Sequence, residues 1–291
     1  MTTTSEVMIR ALSNRGEKLS ACFLPGMGMN FISYKKGDIE AIDLSTKKLF
    51  DERYAGLGAM IGPHFHHRNP SAIPPIDDPS LFPHIARVQG NEPFSHGIGR
   101  YAPWKVESVG SSHIKSVLKG DDTWHGIPLK ALEGQDFLME YEAKMTPLGL
   151  EIHLSVKGET QSVVGLHTYY ALINGKGRVL APVQSHYNDQ GILKPIPSTW
   201  NYGEDHTLTY KLETDTDYGF HPFPDLLHGS ILLETGSYQL QVQYWCNNEE
   251  NSWQLWHPKA ASFVCIEPIA AKDPRKPRLS TNHLKILISI L

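Results

Sequence analysis

The chain has 291 residues, 40% of them hydrophobic and 20% charged, with a formal net charge of -4. That is enough apolar material for a sizeable core, and nothing in the charge attracts nucleic acid or an anionic membrane. No apolar run reaches the roughly 18 residues that a membrane helix needs, and the three cysteines show no CxxC spacing.

In chain order, the opening "MTTTSEVMIRALSNRGEK" lacks the apolar centre of a signal peptide. A cytoplasmic protein is expected, with Cys22, Cys246 and Cys265 as reduced thiols. Strand-like runs begin at "SEVMIRALS" and "LSACFLP". Residues 62 to 98 then break the pattern, rich in Pro and His. A long irregular stretch of this kind is usually functional. Strand patterns resume with "HIKSVLKG", "FLMEYEAKMT" and "GLEIHLSVKG", where Leu150, Ile152, Leu154 and Val156 alternate with Glu151, His153, Ser155 and Lys157. That period-two pattern is the mark of an antiparallel strand with one polar face. "SVVGLHTYYAL", "GRVLAP", "HTLTYKLE", "GSILLETG", "YQLQVQYW", "SFVCIEPI" and "LKILISIL" follow, separated by turns such as "NGKG" and "ETGS". Long amphipathic helical patterns are scarce. The reading is all-β: one large antiparallel β-sandwich forming a single domain over residues 1–291.

Several residues stand out chemically. His167 interrupts the apolar run "VVGLHTYYAL", as either a hydrogen-bonded core histidine or the lining of a wet cleft. Glu267 ends the apolar run "SFVCIEP". Burial there raises a carboxyl pKa and makes a better base, unless an arginine simply pairs with it. His96 lies in "SHGIG", whose glycines allow backbone to approach a ligand closely. In "HFHH", His64 and His66 would share one face of a strand and invite a metal reading. Arg68 follows them where a metal site would want a carboxylate, so no metal is expected.

Taken in order, these pieces resemble the aldose 1-epimerase (galactose mutarotase-like) family. "GMGMNFISYKKGDIEAI" is similar to the family's opening strand pair, and "GPHFHHRNP" to its Pro-x-x-x-Arg loop, with Arg68 at the arginine. "FSHGIGRYAPWKV" is similar to the His-Gly stretch that leads to Trp-x-Val, matching His96, Gly97 and Trp104. "GLHTYYAL" resembles the family's His-Pro-Tyr strand, with Thr168 at the proline. "YNDQGILKPIP" resembles the segment before its Pro-x-Gly. "DTDYGF" resembles Asp-x-x-Phe at Asp217, a role for which Asp215 and Asp225 compete. "CIEPIA" resembles the closing apolar-Glu-Pro at Glu267.

The resemblance implies an isomerase that interconverts the α and β anomers of a hexose, in carbohydrate metabolism. Glu267 would be the base and His167 the acid, with His96, Arg68 and Asp217 binding the sugar. Trp124 or Tyr170 would stack on the sugar's apolar face. No cofactor is implied, because ring opening involves no redox change. The partner would be a small-molecule sugar, with no nucleic acid or membrane, and the protein a monomer or homodimer. Two relatives in function are a hexose-6-phosphate 1-epimerase of the same fold, with Lys272, Arg275 and Lys276 near the phosphate, and a non-catalytic carbohydrate-binding protein. A metal-dependent β-sandwich enzyme using His64 and His66 is a further reading. The acid/base reading expects His96, His167, Asp217 and Glu267 on one concave sheet face, with His167 and Glu267 about one sugar ring apart.

Overall fold

Strand follows strand through the computed structural model, which describes residues 6–66, 76–83 and 93–291. The pairings are antiparallel throughout and build two layers. The first runs Val7–Leu12, Lys18–Leu24, Asn30–Lys36, Gly58–Ile61, Gly165–Ala171, Phe263–Ile269, Ser252–His257 and Thr216–Pro222. The second runs Lys105–Val109, His113–Lys119, Phe137–Thr146, Gly149–Gly158, Thr281–Ile290, Gln239–Cys246 and His228–Thr235.

One strand, Gly177–Asp189, belongs to both layers. Gly177 to Leu180 pair with His228–Thr235 in the second layer, and Val183 with Tyr187 to Asp189 pair with Thr216–Pro222 in the first. The register shifts between Val183 and Tyr187, where the strand crosses over. An irregularity of this kind bends a strand and increases its twist.

The layers face each other because alternation gives each strand one apolar side. In Phe137–Thr146, Phe137, Met139, Tyr141, Ala143 and Met145 are buried, while Glu142 and Lys144 face outward. The alternation expected at Leu150 to Lys157 is present, with all four apolar residues buried. Contacts cross the gap: the rings of Phe23 and Tyr141 lie 5.9 Å apart, and Tyr34 Oη donates to the Ile288 carbonyl at 2.9 Å. The molecule is thus an all-β antiparallel sandwich, as the alternation predicts.

The centre of the first layer is covered on both faces. In Gly165–Ala171 and Phe263–Ile269, Leu166, Tyr170, Val264 and Ile266 point into the main core. The residues between them face the other way, and they carry the chemistry described below. The α-helices are short: α1 (Lys47–Arg53) and α2 (Leu129–Glu133). No helix among the described residues is long and apolar enough to cross a membrane.

Candidate active site

Strand register sets two rows of side chains on the open face of the first layer. Phe263–Ile269 pairs Glu267 with Gln254 and Cys265 with Trp256. The next strand outward pairs Gln254 with Gly219 and Trp256 with Asp217. On the other side Cys265 pairs with Tyr169, and the same register sets His167 opposite Glu267. One row therefore reads Gly219, Gln254, Glu267, His167, and the next Asp217, Trp256, Cys265, Tyr169. Alternation puts both rows on one face.

A cleft of about 690 Å³ opens above the rows, and His96, His167, Asp217 and Glu267 all line it. The structure thus brings these four together. Arg68 lies outside the described residues. Asp217 is exposed on the cleft wall and accepts from Gln190 Nε2 at 2.8 Å. Its two competitors bind backbone amides and do not line the cleft: Asp215 accepts from the Lys259 amide of a distant loop and Asp225 from the Leu227 amide of its own turn.

His167 and Glu267 are not a sugar ring apart. His167 Nε2 lies 3.2 Å from Glu267 Oε1, with the two residues only 7% and 3% exposed. Opposite residues on adjacent strands hold their Cβ atoms about 4.5–5.5 Å apart, too close to admit a ring between them. A ligand in this cleft sits above the pair. Burial pushes the Glu267 carboxyl well above its ordinary range; Arg100 opposes that shift and Asp217 adds to it. Burial pushes the His167 imidazole well below its ordinary value, and the Arg100 charge acts in the same direction. Both shifts favour the uncharged forms, a protonated carboxyl beside a neutral imidazole.

His96 sits in a left-handed turn, φ 69°, with its ring centroid 5.6 Å from that of His167 and 5.2 Å from that of His66. Burial lowers its pKa well below the ordinary value, and the charges of Arg100 and the neighbouring histidines add to the effect. Two loops knot together behind it. The Gly62 amide donates to the His96 carbonyl, the His96 amide to the Phe65 carbonyl and the Gly99 amide to the Gly62 carbonyl. Gly97, at φ 92°, permits this: a Cβ there would lie 2.1 Å from the Gly62 oxygen. The glycine beside His96 thus serves backbone meeting backbone, where the sequence reading expects backbone meeting ligand.

Glu133, at the end of α2, clamps the same knot. One carboxylate oxygen lies 2.5 Å from His64 Nδ1, and the other accepts from the Ile98 amide at 3.1 Å. His64 is thereby committed away from the cleft, whereas His66 lines it. Residues 64–66 are not a strand, so the alternation that would put His64 and His66 on one face is absent.

The aromatic walls also differ from expectation. Tyr170 faces the core and Trp124 packs against Phe82. Tyr169 and Trp256 line the cleft in their place. Tyr169 is two residues from His167 and so shares its face; Tyr170 does not. Arg100, Gln254 and Arg53 are cleft residues that sequence reasoning missed, while Arg275 lines the cleft without Lys272 or Lys276. Gln254 carries the same signal as His167, a polar side chain within the apolar run "SWQLWH". Arg100 is 4% exposed and donates from Nε to the Met60 carbonyl at 3.0 Å. Its Nη2 has no hydrogen-bond partner among the described residues.

No family model matches the chain, and no curated protein matches it. Solved structures do. A protein from Synechocystis is similar over 100% of this chain and 99% of its own, at 14% identity and a TM-score of 0.66. A galactose mutarotase-like protein from Lactobacillus casei covers 99% of this chain and 100% of its own, at 12% identity and a TM-score of 0.66. The aldose epimerase homologue from C. elegans covers 99% and 100%, at 12% identity and a TM-score of 0.65. The chain has the galactose mutarotase-like fold.

Proposed function

We propose that this chain is an aldose 1-epimerase-like isomerase that interconverts the α and β anomers of a hexose. The observation that carries this reading is the 3.2 Å contact between His167 Nε2 and Glu267 Oε1 at the floor of an open cleft. The reaction needs an acid and a base that exchange roles, and such a pair supplies both. The carboxyl proton first moves from Glu267 to His167 across their contact. The Glu267 carboxylate then takes the proton of the C1 hydroxyl. The freed electron pair forms the C1 carbonyl, the bond from C1 to the ring oxygen breaks, and the ring oxygen takes the proton from His167. Rotation about C1–C2 presents the other carbonyl face, and the same steps in reverse close the ring. The pair ends with the proton count it began with, and nothing is oxidised or reduced.

Each neighbour has a part in this scheme. Arg100 favours the carboxylate form of Glu267 and disfavours the imidazolium form of His167, so its charge acts on both partners of the first transfer. Asp217 and Gln254 offer hydrogen bonds to ring hydroxyls, and His96 faces the ring oxygen beside His167. Trp256 and Tyr169 supply the apolar wall that a sugar face stacks on.

A second reading is favoured by the arginines. Arg53, Arg100 and Arg275 line the cleft, and none has a carboxylate within ion-pair distance among the described residues. The carboxylates in the lining are Asp217 and Glu267. Three guanidinium groups over two carboxyls suit a phosphorylated hexose. Saturation-transfer NMR on a panel of free and phosphorylated aldoses tests both. Faster anomer exchange of phosphorylated sugars favours the second reading. Binding without exchange on any sugar would leave a carbohydrate-binding protein and refute the isomerase.

A further inference from the structure

Cys265 lies beneath the residues that line the cleft and has no part in that scheme. It is fully buried, two residues before Glu267 on the same strand face, and diagonal to His167 across the strand pair. A ring nitrogen of His167, Cys265 Sγ and a Glu267 carboxylate oxygen all lie within 4.8 Å of one another. No other such group of three metal-ligating side chains occurs among the described residues. We propose that His167, Cys265 and Glu267 form a site for a thiophilic divalent cation, zinc or cadmium, and that a cation held there blocks the acid/base pair. The blocking rests on the isomerase reading; the binding does not.

Three observations carry the site. The donor set is one nitrogen, one sulfur and one oxygen, the ligand number of zinc sites that leave a fourth position open. Bonds of about 2.0–2.3 Å bring such donors to roughly 3.3–3.8 Å from each other, so side-chain shifts of about an ångström close the present cluster. Access is the second. His167 and Glu267 line the cleft, so a cation reaches two of its three ligands directly from solvent.

Donor chemistry is the third. Soft donors select the metal: thiolate and imidazole suit zinc and cadmium, whereas magnesium and calcium prefer oxygen cages. Affinity should rise with pH, because the ligands must lose protons to bind.

The test uses the full chain, freed of metal and then given one equivalent of zinc. X-ray absorption at the zinc edge should show one sulfur at about 2.3 Å and nitrogen or oxygen neighbours at about 2.0–2.2 Å. Cadmium should give a thiolate charge-transfer band that Cys265→Ser removes. A metal shell without sulfur, no retained metal, or a band that survives in Cys265→Ser overturns the site. Should Cys265→Ser not fold, the double variant Cys22→Ser, Cys246→Ser leaves Cys265 as the sole thiol and must keep both the band and one equivalent. Its losing them also overturns the site. Anomer exchange should fall by roughly 10²–10⁴-fold on loading, since acid and base are both sequestered, and return with a chelator. Unchanged exchange at full occupancy overturns the blocking. Absence of exchange in the unloaded protein sinks the isomerase reading and leaves the absorption result to stand or fall separately.

Discussion

Replacing Glu267 by Gln removes a proton acceptor and very little else. The amide has the same shape, and it can donate to His167 Nε2 across the present 3.2 Å contact. It cannot take the proton of a C1 hydroxyl. The expected loss in kcat is roughly 10²–10⁴-fold, which is about 2.7–5.5 kcal/mol in the barrier. Stability should move the other way. The Glu267 pKa is raised in the folded chain by burial, so above its unfolded pKa the folded chain still holds a proton that the unfolded chain has released. A raised carboxyl pKa therefore makes stability fall as pH rises from about 4.3, its unfolded value, through the folded value. Gln carries no such dependence. At a pH near neutral the variant should melt no lower than the parent while its exchange rate collapses. Polarimetry or saturation-transfer NMR gives the rate, and thermal melting followed by circular dichroism gives the stability. Near-parental turnover would refute Glu267 as the base. A large drop in melting temperature would refute the uncharged, buried state argued for it.

Three other perturbations follow from the same geometry. The kcat/KM profile should be bell-shaped, with its acid limb well below 6.5 where His167 takes a second proton, and its alkaline limb well above 4.5 where the pair loses its only one; an acid limb at or above 6.5 would contradict the neutral pair. Glu133→Gln keeps an acceptor for the Ile98 amide but loses the charge facing His64, so the knot carrying His96 and Arg100 should loosen. Stability should fall by about 1–3 kcal/mol and KM should rise more than kcat falls; an unchanged KM in steady-state kinetics would show that the clamp does not position the cleft. Gly97→Ala places a Cβ 2.1 Å from the Gly62 oxygen at φ 92° and should cost about 2 kcal/mol or more in chemical denaturation, because neither backbone yields cheaply.

Local pattern was enough for much of the architecture. The alternation from Leu150 to Lys157 states both that the segment is a strand and which side is buried, since a period of two is a property of the chain itself. His167 and Glu267 were visible for a related reason: a titratable side chain inside or ending an apolar run conflicts with its surroundings, and so draws attention. Gln254 makes the same conflict in "SWQLWH" and was legible on equal terms. His96 drew attention through its flanking glycines, and family resemblance added Asp217, which like His96 lines the cleft, and the sugar-binding role of Arg68, which lies outside the described residues.

Other features were decided only by the tertiary structure. "HFHH" reads as a strand with two histidines on one face, but residues 64–66 lie outside any strand, and Glu133, distant in sequence, claims His64. Asp217 lines the cleft, as Asp215 and Asp225 do not, because its strand pairs it with Trp256 on the cleft side. Arg100 looks like an ordinary charged residue until the fold buries it above Met60. Cys265 meets His167 and Glu267 through the pairing of two strands nearly a hundred residues apart. Alternation tells which side chains share a face, but register tells which of them meet. A buried face forbids a slip of one residue, but which residue of a distant segment stands opposite is fixed by the hydrogen bonds and packing that form only when the two strands meet.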